Sequence, residues 1–256
     1  MPLYELKKSG QQVSIPNEDT SLFTFSFFIP CYNEEKNIGA VVSKLYHVCH
    51  REGVTFEILV FDDASKDNTV NAVLKIQNQT DDDYLRLFVN QKNQGMARNF
   101  IEGAFQARGK YYRIVMGDDV ESEETLTSII KQAGAADIVI PYHTEVHGRP
   151  AHRRLISRLY TRLVNAASNT NLRYYNGSPL FKRMDAIRFH VEATGMGFQA
   201  EFLLRLLQEG RSFVEIPVTA SDREGSTSLN FRNFLSVGYS LFKILMRRIS
   251  GAKMAR

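Results

Sequence analysis

The sequence predicts an α/β fold: a Rossmann-like, mostly parallel sheet flanked by helices, ending in a C-terminal amphipathic helix. Three observations lead there. From residue 23 onward, short apolar runs alternate with amphipathic stretches, the rhythm of parallel strands joined by crossover helices. The chain has 256 residues, 43% apolar, 23% charged and 11% aromatic, which suits one large globular domain with at most a modest appendage. Several apolar runs also end in unusually polar loops, as strands do whose carboxyl ends face a ligand.

Residues 1–20 are polar and without period, and read as an extended or frayed arm. Strands follow at 23–30 (FTFSFFIP), 56–61 (FEILVF), 85–89 (LRLFV), 111–116 (YYRIVM) and 137–141 (DIVIP). Helices fit between them at 36–51, 66–77, 95–108 and 123–133, each with apolar residues near i, i+3, i+4 and i+7. After Tyr142 the pattern changes. A long helix at 153–168 leads to the Asn-, Gly- and Pro-rich loop NTNLRYYNGSP, then a helix at 198–208 and a strand FVEIPV. The main domain therefore spans 21–228, with halves at 21–142 and 143–228, and a basic amphipathic helix occupies 229–256.

Composition excludes several classes. Sixteen Gly and seven Pro rule out collagen-like and low-complexity chains. Cys31 and Cys49 make no disulfide framework, and no Cys/His cluster has zinc spacing, so both are expected reduced, as in the cytosol. The N-terminus has no apolar signal region and no run of about 18 apolar residues occurs, so neither export nor membrane spanning is expected. With 32 basic and 28 acidic residues the net charge of +4 is too mild to suggest nucleic acid as a partner.

The polar strand ends carry the chemistry. The first strand runs into IPCYNEE, the second into FDDASKDNT and the fourth into MGDDVE. Alternative readings stay open: Asn33 or Glu34 can cap the following helix, and Asp63, Ser65 or Asp67 the one after. Asp118 and Asp119 end an apolar strand. Adjacent carboxylates repel, and stay ionised together when a hard divalent cation, Mg²⁺ or Mn²⁺, neutralises them and gathers phosphate oxygens. A solvated acidic turn opening the helix after Ser122 is the other reading. Met96, Met116, Met184 and Met196 are scattered and read as packing residues.

The motifs IPCYNEEKNI, EILVFDDASKDNT and NQGMARNFIEGAFQARGKYYRIVMGDD resemble the nucleotide-sugar domain of family 2 glycosyltransferases, which have the GT-A fold. The resemblance covers about residues 24–225, and RRLISR, GFQAEFLLRLL, VEIPV and REGSTS bring it nearest to the dolichyl-phosphate mannose synthase-like group. It implies that Pro30, Tyr32 and Glu34 line a base pocket, that Asp62 and Asp63 hold base and ribose, and that Asn93, Gly95, Ala97 and Arg98 approach the nucleotide. It implies Asp118, Asp119 and Glu121 as metal ligands, with Asp118 also at the nucleotide sugar and Asp119 catalytic. Here the loop departs from the family's Asp-any-Asp, since Gly117 takes the first place.

On the acceptor side the likeness implies that Arg153 and Arg154 contact phosphate, with His143 at a position where relatives carry Arg. Arg158 and Arg162 share a helical face with Arg154 and read as a solvated face. Arg223, Ser226 and Ser228 resemble a loop closing over the diphosphate, with Leu229 in place of the usual Lys. Glu201 stands where relatives that act on hydroxyls place a general base; stabilising a helix start is its other reading. In the tail, Phe231, Phe234, Leu235, Leu241, Phe242, Leu245 and Ile249 share a face ringed by Arg232, Lys243, Arg247, Arg248 and Lys253, suiting an anionic membrane surface, the domain itself or a second subunit.

The expected activity is therefore an inverting, metal-dependent transfer from a GDP- or UDP-linked sugar to a polyprenyl phosphate, by a peripheral protein at the cytoplasmic membrane face, with a homodimer open. The alternatives are transfer to a sugar hydroxyl of a growing glycan, and nucleotide-sugar binding without transfer.

Overall fold

The computed structural model describes residues 4–6, 21–79, 84–147, 151–175, 177–188 and 197–221. Its elements in chain order are β1 (Tyr4–Leu6), β2 (Phe23–Cys31), α1 (Ile38–Arg51), β3 (Phe56–Asp62), α2 (Thr69–Gln79), β4 (Leu85–Val89), α3 (Met96–Gln106), β5 (Gly109–Ile114), α4 (Glu123–Lys131), β6 (Ile138–His147), α5 (Ala151–Ser168), β7 (Leu180–Lys182), α6 (Arg183–Arg188), α7 (Phe198–Gln208) and β8 (Phe213–Ser221).

One eight-stranded sheet has the order β1-β4-β3-β2-β5-β7-β6-β8. β1 and β7 run antiparallel to their neighbours, and the other six strands share one direction. All six therefore end at one edge, where the polar loops collect.

Strand periodicity divides the core into two layers. Phe25, Phe27, Ile29 and Cys31 of β2, with Ile58 and Val60 of β3, meet α1 and α4 through Val41, Leu45, Leu126 and Ile129. Phe28, Leu59 and Phe61 point the other way, to Phe100 and Ala104 of α3 and Phe198 and Phe202 of α7. Rings interlock there, with Phe61 and Phe88 stacked at 4.6 Å and Phe100 tilted against Phe198 at 5.4 Å. Each such ring taken fully out of water stabilises the fold by about 1.5–3 kcal/mol. α3 lies close to the sheet because of Gly103: a Cβ there would come within 2.5 Å of Tyr112 Oη and 2.8 Å of Phe28 Cδ2. At the opposite, amino-terminal edge, the fully buried Glu57 is neutralised by Arg108 Nε at 2.9 Å and Arg86 Nη1 at 3.3 Å, and accepts from Ser26 Oγ at 2.6 Å.

Three expectations change. The N-terminal arm contributes β1, which pairs with β4; the remainder of 1–20 lies outside the described residues. β7 and α6 emerge within a stretch that carries no sequence period. The strand expected at 111–116 runs instead over Gly109–Ile114, so Asp118 and Asp119 sit in a loop beyond its end. The tail 229–256, with Arg223, Ser226, Ser228 and Met196, lies outside the described residues. Met96 and Met116 pack against the second core layer, as expected.

Candidate active site

The loops after β2 and β3 are laced together by reciprocal hydrogen bonds. Asn33 N donates to Ser65 Oγ at 2.9 Å, while Lys66 N donates to Asn33 Oδ1 at 2.8 Å. Glu34 N donates to Thr69 Oγ1 at 2.9 Å and Glu35 N to Asp67 Oδ2 at 3.1 Å; Asn68 N returns to Glu35 Oε2 at 2.9 Å. Each loop thus pairs backbone N–H groups of the other just ahead of its helix, where no ladder or helix bond satisfies them. Asp67 also accepts from Thr69 N at 3.0 Å, the cap on its own helix that the sequence allowed. Desolvation opposes its ionisation, yet the bonds from Thr69 and Glu35 hold its carboxyl below the ordinary value. Beneath them Cys31 is buried, and burial, followed by the charges of Asp62, Glu34 and Asp67, pushes its thiol well up. Cys49 is pushed by burial to about 12. Both are free and neutral, as expected of reduced cysteines.

Beside this lacing Tyr32 is 46% exposed, while Asp62 and Asp63 are buried. The two aspartates differ. Asp63 accepts from Gln94 N at 2.7 Å, Gly95 N at 2.9 Å and Asn90 Nδ2 at 2.9 Å, and Asn93 Nδ2 reaches its carbonyl at 3.3 Å. It therefore secures the start of α3, rather than the helix that follows it in sequence, and brings Asn93 and Gly95 to the site. Gly95 has φ +83°, which a side chain would strain. The Asp62 carbonyl accepts from Asn90 N at 2.9 Å, but its carboxylate accepts from Ser65 N at 3.0 Å through one oxygen, and its Oδ1 has no hydrogen-bond partner among the described residues. Arg98 is exposed in the first turn of α3.

In the acidic loop Asp119 adopts φ +62°. Its Oδ1 accepts from Lys44 Nζ of α1 at 2.7 Å, and the same ammonium donates to Glu121 O at 2.6 Å. The Glu121 carboxylate is bound by both Nη atoms of the fully buried Arg113, one of them at 2.8 Å. Among the described residues no group of three or more His, Cys, Asp or Glu side chains is arranged to hold a metal. Two carboxylates, Asp118 and Asp119, match in number and type the one or two by which Mg²⁺ is commonly held together with substrate phosphates, although Lys44 pairs with Asp119; Glu121 is held by Arg113.

Further along the same edge, a cleft of about 470 Å³ lies between β6, α5 and the loop before β7. Arg154, Arg158 and Arg162 line one wall with Ser157 and Thr161, and Arg173 lines the other. Arg158 and Arg162 are exposed, as expected of a solvated face, and that face borders the cleft together with Arg154. Arg173 is fixed by its guanidinium over the Tyr142 ring at 4.6 Å, by a hydrogen bond from Nη1 to the Tyr142 hydroxyl and by its own N–H to Glu215 Oε1 at 2.7 Å. His143 meets Tyr174 edge-on at 5.1 Å. Arg153 lies in the first turn of α5. Glu201 sits in the first turn of α7, 2% exposed.

A family model described as "Glycosyl transferase family 2" matches residues 26–200. The chain belongs to glycosyl transferase family 2. Among the relatives of this family 2 glycosyltransferase, the human dolichyl-phosphate beta-glucosyltransferase is 26% identical, the match covering 96% of this chain and 83% of the relative. An undecaprenyl-phosphate 4-deoxy-4-formamido-L-arabinose transferase of Shewanella sediminis is 22% identical over 84% of this chain and 65% of its own. The fold matches glucosyl-3-phosphoglycerate synthase of Mycobacterium tuberculosis, solved with Mn²⁺, UDP and phosphoglyceric acid, at a TM-score of 0.70 and 13% identity, over 92% of this chain and 84% of that one. Mannosyl-3-phosphoglycerate synthase of Rubrobacter xylanophilus matches at 0.67 with 14% identity, over 91% and 75%.

The candidate site contains residues that the sequence reading passed over: Lys44, Asn90, Arg113, Arg173 and Tyr174. Arg113 had a signal, a charge inside the apolar run YYRIVM, because a buried cation must find a carboxylate. Lys44 had none, since a lysine on a helix is ordinarily solvated.

Proposed function

We propose that this glycosyltransferase transfers a sugar, with inversion at the anomeric carbon, from a GDP- or UDP-linked donor to a polyprenyl phosphate at the cytoplasmic face of a membrane. The observation that carries this reading is the arginine-lined cleft on the same sheet edge as the acidic loops, which supplies cations for a phosphate acceptor beside carboxylates for a donor. The names of the human and Shewanella relatives support a polyprenyl phosphate.

In this reading the exposed Tyr32 covers the base, the buried Asp62 oxygen that has no partner among the described residues accepts from base or ribose, and Asp63 holds the 90–95 loop against the nucleotide. Asp118 and Asp119 hold Mg²⁺ or Mn²⁺, which when bound offsets the negative charge gathering on the departing diphosphate. The cleft arginines, with their forked donor pairs, orient the acceptor phosphate so that one oxygen faces the anomeric carbon opposite the leaving group. That oxygen forms the new bond as the bond to the diphosphate breaks, and a single displacement inverts the centre. A phosphate monoester has a second pKa near 6 and is largely a dianion at neutral pH. It needs no general base, which leaves the buried Glu201 a structural part of α7.

Among the described residues no helix is long and apolar enough to cross a membrane. The test is a panel of UDP- and GDP-sugars with Mn²⁺ or Mg²⁺ and a polyprenyl phosphate. The expected product is one sugar on the lipid phosphate with inverted anomeric configuration. Transfer only to a sugar hydroxyl, or binding without turnover, would refute the proposal.

A further inference from the structure

α5 has more to bury than the domain covers. Val164 and Thr161 are buried and Tyr160 is half-buried, and these fix the inner face of the helix. The outer face exposes Leu155 by 67%, Leu159 by 55%, Leu163 by 48% and Ile156 by 43%, half of the exposed large hydrophobic residues in the described fold. At roughly 100° per residue, the leucines form one stripe along the helix, and Arg154, Arg158 and Arg162, each one position earlier, form a second stripe beside it. Going round the helix, the order is the inner face, then the arginines at the cleft, then the leucines.

We infer that α5 lies flat on an anionic membrane, with its leucines in the acyl boundary and its arginines at the level of the lipid phosphates. A helix with an apolar stripe bordered by arginines fits that boundary, where both sides find their complement. Charge disfavours the other occupants. A second copy of this face would set arginine against arginine, and the chain's own segment 229–256 is itself basic, with Arg232, Lys243, Arg247, Arg248 and Lys253. The inference rests on the lipid-phosphate reading of the acceptor, and it explains how a water-filled cleft meets a substrate buried in a bilayer: the helix that lines the cleft is the one that rests on the lipid.

The chain contains no tryptophan, so Leu159→Trp creates a single emission probe in the full-length protein. With vesicles of mixed phosphatidylglycerol and phosphatidylcholine, and no donor or acceptor present, its emission is expected to shift to the blue and to be quenched by brominated acyl chains. Raising the salt, or changing Arg158 or Arg162 to Gln, should weaken binding, by roughly fivefold for each arginine. Leu155→Ser with Leu163→Ser should keep the parent's melting temperature, donor binding and transfer to a water-soluble short-chain polyprenyl phosphate, and lose transfer to a long-chain acceptor in vesicles. Emission unchanged by vesicles would overturn the inference, even if the protein binds them through another segment. Emission already blue without lipid would also overturn it: a second copy covers the face if the shift depends on protein concentration, and the chain itself if it does not. The emission readout needs no turnover, so its failure and failure of the transferase reading are separable.

Discussion

Asp62 and Asp63 are neighbours of one residue type at one strand end, yet their replacement is expected to fail in opposite ways. Removing the Asp63 carboxylate strands Gln94 N, Gly95 N and Asn90 Nδ2, all held within 2.7–2.9 Å. A buried donor left unpaired costs about 1–3 kcal/mol. Because part of the 90–95 loop is exposed and can recruit water, the lower part of that range applies, and Asp63→Ala should cost about 3–5 kcal/mol in total. For a chain of this size that lowers the melting temperature by on the order of 10 °C. Asp62→Ala gives up one bond, from Ser65 N at 3.0 Å, worth about 1 kcal/mol. It also removes the one oxygen of the pair that has no partner among the described residues. The assay is a thermal melt of each variant beside a calorimetric titration with UDP and GDP. Asp62→Ala should melt within a few degrees of the parent and bind nucleotide weakly; Asp63→Ala should melt early. An Asp63→Ala protein that melts with the parent would refute the view that this carboxylate anchors the α3 start, and would return it to direct nucleotide contact.

Three further outcomes are expected. Asp119→Ala should abolish transfer, and chelation should sharply weaken donor binding by the parent; Lys44→Met, which removes the ammonium competing for Asp119, should tighten metal-dependent nucleotide binding in the same titration. Replacing Arg153 and Arg154 with Gln should cost more activity at saturating donor than Glu201→Gln, since each charge-assisted contact contributes about 1.5–3 kcal/mol; a hydroxyl acceptor would reverse the order, because losing a general base typically costs 10²–10⁴-fold. Asp137 is held at about 2 by hydrogen bonds from Ser212 and then by Lys182, below its ordinary 3.8. Its folded pKa is depressed, so its contribution is present above the ordinary value and lost as pH falls toward 2; Asp137→Asn should flatten the stability profile from urea unfolding in that window.

Several features were legible in the sequence alone. The parallel core was, because strands such as FEILVF carry an apolar run that only a sheet covered on both faces can bury, and the intervening helices show the 3.6-residue period. So was the edge at which the chemistry gathers, since parallel strands all end on one side and the acidic loops follow them. The adjacent carboxylates made Asp118 a candidate by residue type, and the resemblance to family 2 glycosyltransferases named Tyr32, Asp62 and Arg154. Tertiary structure decided what each charge is bound to. That Asp63 secures α3 across 31 positions, that Lys44 neutralises Asp119 across 75, and that Arg113 claims Glu121 are pairings between residues on separate elements, for which local pattern has no signal. β1 and β7, three residues each, are too short to show a period, and their pairing partners create them. For α5 the sequence shows the basic face of Arg154, Arg158 and Arg162 at helical spacing, but which face meets the core and which stays uncovered depends on where the sheet lies.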